Sequence, residues 1–217
     1  MNYFTHGRRY LDDPYFVAGT AVPDWLSVVN RRMRARSKLA APFADDSDSR
    51  VASIAKGIMQ HHHDDNWFHQ TRAFAELSLY FTKAVRDRLP NDDGFRPSFL
   101  GHILVELLLD ATLIEDDPAR LDRYYAALDS LDPYLINRTV NRMATQETGM
   151  LAFFIPRFLE ERFLYDYVED AKLLFRLNNV MRRVRMPALP ETLAEFFPQA
   201  RRLVRQRKAE LLAGEKT

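Results

Sequence analysis

The chain contains no cysteine. That excludes disulfides, thiolate zinc fingers and thiol catalysis, and it leaves His, Asp and Glu to hold any metal. Glycine is scarce, at 7 of 217 residues, and alternating strand patterns bounded by turn residues are hard to find. Neither sign of charge is in excess: 31 Lys and Arg face 30 Asp and Glu, for a net charge of +1. A dedicated nucleic-acid binder carries a clear basic surplus, so no nucleic-acid partner is expected. No apolar run reaches the roughly 20 residues of a membrane span. The opening MNYFTHGRRYLDD has no apolar core of signal-peptide length, and the cytoplasm is the expected location. Repeats, low-complexity segments and domain linkers are also missing.

What remains is helix-forming material. Arg, Leu, Ala, Glu and Phe fill most segments, and 47% of the residues are hydrophobic. The expected fold is all-α, a single-domain helical bundle over residues 1–213, with a frayed tail at 214–217. Helices are expected at Tyr3–Leu11, at Pro14–Ala18 behind an Asp13 cap, and at Pro23–Arg34. A longer one starts at Ser47 or Ser49 and reaches a histidine run. Others cover Phe74–Leu89, Ser98–Glu115, Pro118–Leu128 behind Asp117, Asp132–Thr148, Phe153–Phe163, Tyr165–Arg185 and Pro190–Leu212. Lys38–Asp48 reads as a loop and Pro90–Pro97 as a turn-rich link.

The stretch FLGHILVELLLDATLI carries His102, Glu106 and Asp110 at i, i+4 and i+8, which stacks them on one helix face. Every other face is apolar, so the helix is expected to be buried all round. Three buried ionisable groups without partners cost several kcal/mol each, by order of magnitude. A divalent cation compensates them; an internal ion-pair network with arginines such as Arg72 or Arg96 is the alternative.

A second ligand-dense stretch is QHHHDDNWFHQ. Successive helical residues point about 100° apart, so the histidines cannot all face one site. His61, Asp65 and His69 share one face, His62, Asp65 and His69 another, and the doublet His63–Asp64 is a third choice. Without a matching face elsewhere, a solvated polar stretch would be the simpler reading. His6, in an apolar N-terminal turn, and Asp24, between Pro23 and Trp25, are weaker candidates. Alone they read as a satisfied core histidine and a helix cap.

Together these residues resemble the acyl carrier protein phosphodiesterase family, whose fold is related to HD-domain phosphohydrolases. The family opens with Met-Asn-aromatic and a His, matched by MNYFTH with His6. Gly19 to Asp24 (GTAVPD) matches its Gly, four residues, Asp. GIMQHHHDD matches its Gly-Ile, His and Asp with Gly57, Ile58, His61 and Asp65. Glu106 and Asp110 match an Asp-x-x-x-Asp helix with one carboxylate exchanged. FLYDYVEDAKLLFRLNNVMRR and EFFPQARRL are similar to its C-terminal helices. The chain departs where the family has His after the second Asp of that helix (here Ala111) and Asp four residues after the Asp matched by Asp65 (here His69); His102 stands one turn before Glu106. PDW and GHxxxExxxD are also similar to zinc-dependent phospholipase C proteins.

The resemblance implies an HD-domain-like bundle and a metal-dependent phosphodiesterase or phosphohydrolase. His6, Asp24, His61 or His62, Asp65, His102, Glu106 and Asp110 would hold one or two ions of Mn, Fe, Zn or Ni. Asp24, Asp65 or His69 would serve the proton transfer. Arg72, Arg138 and Arg142 are candidates for the phosphate. The implied partner is a phosphorylated small molecule or a phosphopantetheinyl carrier protein. NRRMRARSK, from Asn30 to Lys38, would dock an acidic partner or be a solvated helix end, and ARRLVRQRK is expected at the surface. Two other readings compete: a non-catalytic helical binding or scaffold protein with a relict polar or metal site, and an iron oxygenase.

Overall fold

The structure is a computed structural model that describes residues 1–89 and 94–215. Among these the chain is all-α, as expected. What the sequence suggests for residues 90–93 and for Lys216 and Thr217 lies outside the described residues. Contacts divide the chain into two compact units, each made of two stretches. One comprises Met1–Asn66 with Asp117–Arg162, the other Trp67–Asp116 with Phe163–Thr217.

The first unit holds α1 (Tyr3–Gly7), α2 (Pro14–Val29), α3 (Ser37–Ala40), most of α4 (Ser49–Phe68), α7 (Pro118–Asp129), α8 (Pro133–Arg142) and α9 (Met150–Glu161). Its capping logic follows the sequence. Asp13 accepts from the Phe16 amide at 3.0 Å, and Asp117 from Arg120 at 3.1 Å. At α4 the cap is neither serine: Asp48 accepts from the Arg50 amide with its carboxylate and from the Ala52 amide with its carbonyl. The core gathers round Phe158, whose ring meets Tyr3, Trp25 and Tyr125 at centroid distances of 5.1, 5.5 and 6.0 Å.

Four expectations need correction in this unit. Pro23 does not divide two helices but sits inside α2. A proline ring crowds the carbonyl of residue i−4 and leaves it without a donor; here that residue is Gly19, whose backbone absorbs the change most easily. Lys38–Asp48 is not all loop, since α3 and a 3₁₀ turn at Ala41–Phe43 occupy its first part. Helix α8 stops at Arg142 because Asn141 clasps the Thr148 backbone through both ends of its amide. The basic stretch is extended, not a helix end. Met33 and Ala35 are buried while Arg34 and Arg36 are exposed, the alternation of a strand. Ala35 pairs with Ala144 in an isolated antiparallel bridge.

The second unit holds α5 (Arg72–Arg86), α6 (Pro97–Asp116), α10 (Asp170–Arg183) and α11 (Phe197–Leu211), with 3₁₀ segments at Phe163–Val168 and Glu191–Phe196. Those segments replace the starts of the two C-terminal helices expected from the sequence. Leu104, Leu108 and Leu109 of α6 are fully buried with Phe81, Leu173 and Phe196. By length and composition α6 could cross a membrane, but 67% of that window is buried in the protein, as in a core helix. The C-terminal basic run is more than surface. Arg201 pairs with Asp170, Arg205 with Glu115 and Asp116, Arg207 with Glu76, and Lys208 with Asp116. Together these pairs join α11 to its neighbours. Gly214 lies against the Trp67 ring rather than fraying.

Two glycines decide how α2 meets α4. A Cβ at Gly19 would overlap the Ile54 carbonyl oxygen and lie 2.9 Å from the Gly57 Cα. One at Gly57 would overlap the Phe16 carbonyl oxygen. Backbone cannot move aside as a flexible side chain can. Gly57→Ala is therefore expected to destabilise the protein by about 1–3 kcal/mol or more, the usual cost of overpacking, seen as a lower urea midpoint. Gly149→Ala, where nothing lies within 4 Å, is expected to leave the midpoint within about 0.5 kcal/mol.

Candidate metal centre

The glycine crossing sets the first cluster. One turn after Gly57, His61 turns its ring towards α2, and its Nδ1 lies 2.8 Å from the Thr20 carbonyl oxygen. A carbonyl only accepts, so Nδ1 carries the proton and Nε2 of the neutral ring presents a lone pair. That Nε2 is 3.3 Å from Oδ2 of Asp65, one turn further along α4. From α1, His6 stacks on His61 at 4.1 Å between centroids and brings its Nε2 to 3.3 Å from the other oxygen of Asp65. The Met1 amino group lies 2.7 Å from that same oxygen.

His6 is buried, yet neither of its ring nitrogens reaches hydrogen-bond geometry with a partner. Its Nδ1 is 3.6 Å from Asp64, and Asp64 is itself held by the Gln60 amide at 2.8 Å. Two ligands bound about 2.1 Å from one ion and roughly 90–110° apart are separated by about 3.0–3.4 Å. The 3.3 Å spacings match that figure, and they are long for hydrogen bonds. The donor set of two imidazoles and a carboxylate, with an orphaned buried nitrogen, fits a divalent transition ion. The electrostatics keep the carboxylate ionised and also favour a proton on His6, which an ion would have to displace. Burial lowers the His6 pKa, but Asp64 and Asp65 raise it further, and the balance is upward. Burial raises the Asp65 carboxyl, and His6, His61 and the amino group outweigh it, holding it well below the usual carboxylate range. The cluster keeps an anion where a cation is welcome.

A second cluster lies in the other unit. His102 and Glu106 are one turn apart on α6, with His102 Nε2 3.2 Å from Glu106 Oε1. His69 sends its own Nε2 to the same oxygen at 3.0 Å. One ligand atom from each residue lies within 4.8 Å of the others, as also holds for His6, His61 and Asp65. Burial works against the charged form of Glu106, but hydrogen bonds from His102 and His69 help to hold its carboxyl well below the usual carboxylate range.

None of the other candidates is in either group of three close ligand atoms. His62 turns its Nε2 to the Ala35 carbonyl at 2.7 Å, since one residue along a helix rotates the side chain by about 100°. Asp24 is half-buried on α2, one turn beyond Thr20. Asp110 is fully buried, one turn beyond Glu106. His69 does not extend the His61–Asp65 face, because α4 ends at Phe68 and the next residues form a turn. Arg72 is exposed and paired with Glu76 at 2.6 Å. Arg142 pairs with Asp46 and lies over the Phe43 ring, and Arg138 is exposed on α8. In the sequence Asp64 stands out only as the neighbour of His63; in the structure His63 is exposed, while Asp64 shares the inward face at i+3 from His61. A groove of about 420 Å³ bordered by Phe175, Asn178 and Arg182 shares no residue with either cluster.

Compared with family models, curated proteins and solved structures, the chain finds no match.

Asp64 is the residue whose effect separates a metal centre from a mere polar cluster. Partners of a ligating histidine usually contribute 10–100-fold to metal affinity. Asp64→Asn is expected to weaken Zn(II) binding by about that factor in competition with a chromophoric chelator. His62→Ala is expected to leave the affinity within about 3-fold, because this ring lies outside the ligand set. The opposite ranking would remove His6 and Asp64 from the centre.

Proposed function

We propose that the protein is a metal-dependent phosphoester hydrolase of HD-domain-like kind, resembling acyl carrier protein phosphodiesterase. Its substrate is a phosphorylated small molecule or a phosphopantetheinyl carrier protein. One observation carries the reading: the buried His6 and His61 converge with Asp65, and His61 is fixed in the ligating tautomer by the Thr20 carbonyl. Cysteine-free sites of this donor set are those of Mn, Fe, Ni and Zn enzymes. When bound, the ion supplies a Lewis acid that polarises a phosphoryl oxygen and makes water acidic enough to attack phosphorus near neutral pH.

The remaining work falls to the chain. His6 and His61 turn their Nε2 atoms to the two oxygens of Asp65, and these three residues would hold the ion. Asp64, drawn inward by Gln60, steadies His6. Thr20 belongs to the scaffold through its backbone, so the His61 orientation does not depend on a mobile side chain. Arg72 and Arg142 are engaged by acidic side chains, which makes Arg138 the freest of the three arginines considered for phosphate.

A second reading, a helical binding protein with a relict polar cluster, has its own support. Asp65 is already flanked by two imidazoles, and protonation alone can balance its charge.

Two measurements separate the readings. Protein purified without a histidine tag is expected to take up a transition ion and to hydrolyse bis(p-nitrophenyl) phosphate. His61→Ala and Asp65→Ala are each expected to lower kcat/KM by at least about 100-fold while the circular dichroism spectrum is unchanged. Metal uptake without phosphoester hydrolysis would overturn the hydrolase assignment, and no uptake at all would leave the binding protein.

A further inference from the structure

We infer that His69, His102 and Glu106 form a second metal site, complete within its own unit and open to solvent, for a borderline transition ion such as Zn(II), Co(II) or Fe(II). This inference stands whether or not the first cluster is catalytic, because it shares no residue with it. It also changes the part played by His69, which becomes a ligand instead of a general base.

The geometry starts from α6. Residues four apart on a helix share a face, so His102 and Glu106 reach the same point. Gly101, next to His102, lies against the backbone of α5 at Ser78 and Thr82, where a Cβ would not fit. That close approach brings Phe74 of α5 onto His102 at 4.9 Å between centroids. The same Phe74 ring meets His69 at 4.8 Å, and Phe68 meets His69 at 5.4 Å. Thr71 caps α5 by accepting from the Phe74 amide, which fixes the turn that carries His69. One aromatic ring thus orients both imidazoles, the role an apolar shell has around metal ligands.

A simple hydrogen-bonded cluster needs less than this. One imidazole is enough to neutralise one carboxylate. Here two rings approach with the same nitrogen and converge on one oxygen, at 3.0 and 3.2 Å. Neighbouring ligands of one ion have that spacing. Among the described residues no hydrogen-bond partner is found for Nδ1 of His69 or His102. The Nε2 that faces the Glu106 carboxylate carries a proton there; an ion would displace it, with the remaining ring proton on Nδ1 towards solvent.

Burial grades across the cluster. The Glu106 side chain is 15% exposed, that of His69 33% and that of His102 44%. The carboxylate forms the floor and the imidazoles the rim. Three protein ligands with a solvent side leave coordination positions for water or an oxyanion, as in sites that exchange ligands, whereas structural sites close with four. Two imidazoles and one carboxylate favour Zn, Co or Fe over Mg or Ca, which take mostly oxygen.

The test uses the full chain and Co(II) alone, read by stoichiometry and by the visible absorption of the bound ion. Wild type is expected to bind one equivalent that survives His61→Ala and is lost, with its absorption bands, in Glu106→Gln and His102→Ala. Glu106→Gln preserves shape and His102 is half-exposed, so both variants should fold, which circular dichroism checks. A measurement on the unaltered protein needs no variant. Zn(II) is expected to protect His69 and His102 from carbethoxylation at least about 10-fold, by peptide mass spectrometry, since a coordinated nitrogen has no free lone pair. Equal Co(II) uptake and spectra in wild type, Glu106→Gln and His102→Ala would overturn the site. So would no protection by Zn(II), or uptake lost entirely on His61→Ala.

Discussion

The contact of Gly19 with Gly57 is the constraint on which the first unit depends. Helices with side chains at their crossing keep their axes about 8–10 Å apart. Here backbone meets backbone, and a single added methyl at either position would overlap a carbonyl oxygen. The consequence is chemical as much as structural. Thr20 directly follows one glycine and His61 lies one turn after the other. Only when the helices touch this closely does the Thr20 carbonyl come within 2.8 Å of the imidazole. The same glycine sits four residues before Pro23, so the close approach and the proline in mid-helix are accommodated at one point.

How much of this could be read from the sequence follows from helical phase. His61 with Asp65, and His102 with Glu106, are i, i+4 pairs inside long helices, and each pair was legible because the period of a helix is a local property. The all-α class was legible for the same reason. What failed was phase carried past a helix end. His69 continues the His61–Asp65 series on paper, but α4 stops at Phe68, and no periodicity argument crosses a turn. His62 failed differently: its alternative face was geometrically sound, and only the buried Ala35 carbonyl, supplied by an extended segment remote in sequence, shows where the ring goes. That segment had a signal of its own, the alternation of Met33, Arg34, Ala35 and Arg36, hidden by the density of basic residues.

The apolar helix carrying His102, Glu106 and Asp110 shows why reading one face as one site is too coarse. A helix rises about 1.5 Å per residue, so residues four apart are about 6 Å apart along the axis. Asp110 shares the face of Glu106 and is fully buried, but it is not in the group of close ligand atoms formed by His69, His102 and Glu106. The face predicted the direction of the side chains correctly but not how many of them meet.

The two clusters contain the same donor types, and the burial of their imidazoles is what distinguishes them. In the first, one imidazole is locked by a backbone carbonyl and the other is steadied by Asp64, which is held in turn by Gln60, all largely removed from water. Orientation there is fixed before any ion arrives, so little order remains to be imposed on binding. In the second, the Glu106 carboxylate faces both Nε2 atoms, aromatic packing sets the rings and solvent reaches the rim. An ion in the first cluster would gain from preorganisation and a dry surround, which strengthens every charge interaction. An ion in the second would be held by fewer fixed groups and would exchange its remaining ligands with the surroundings. Identical residue types thus yield a tight centre and a labile one, and the difference comes from the residues behind the ligands.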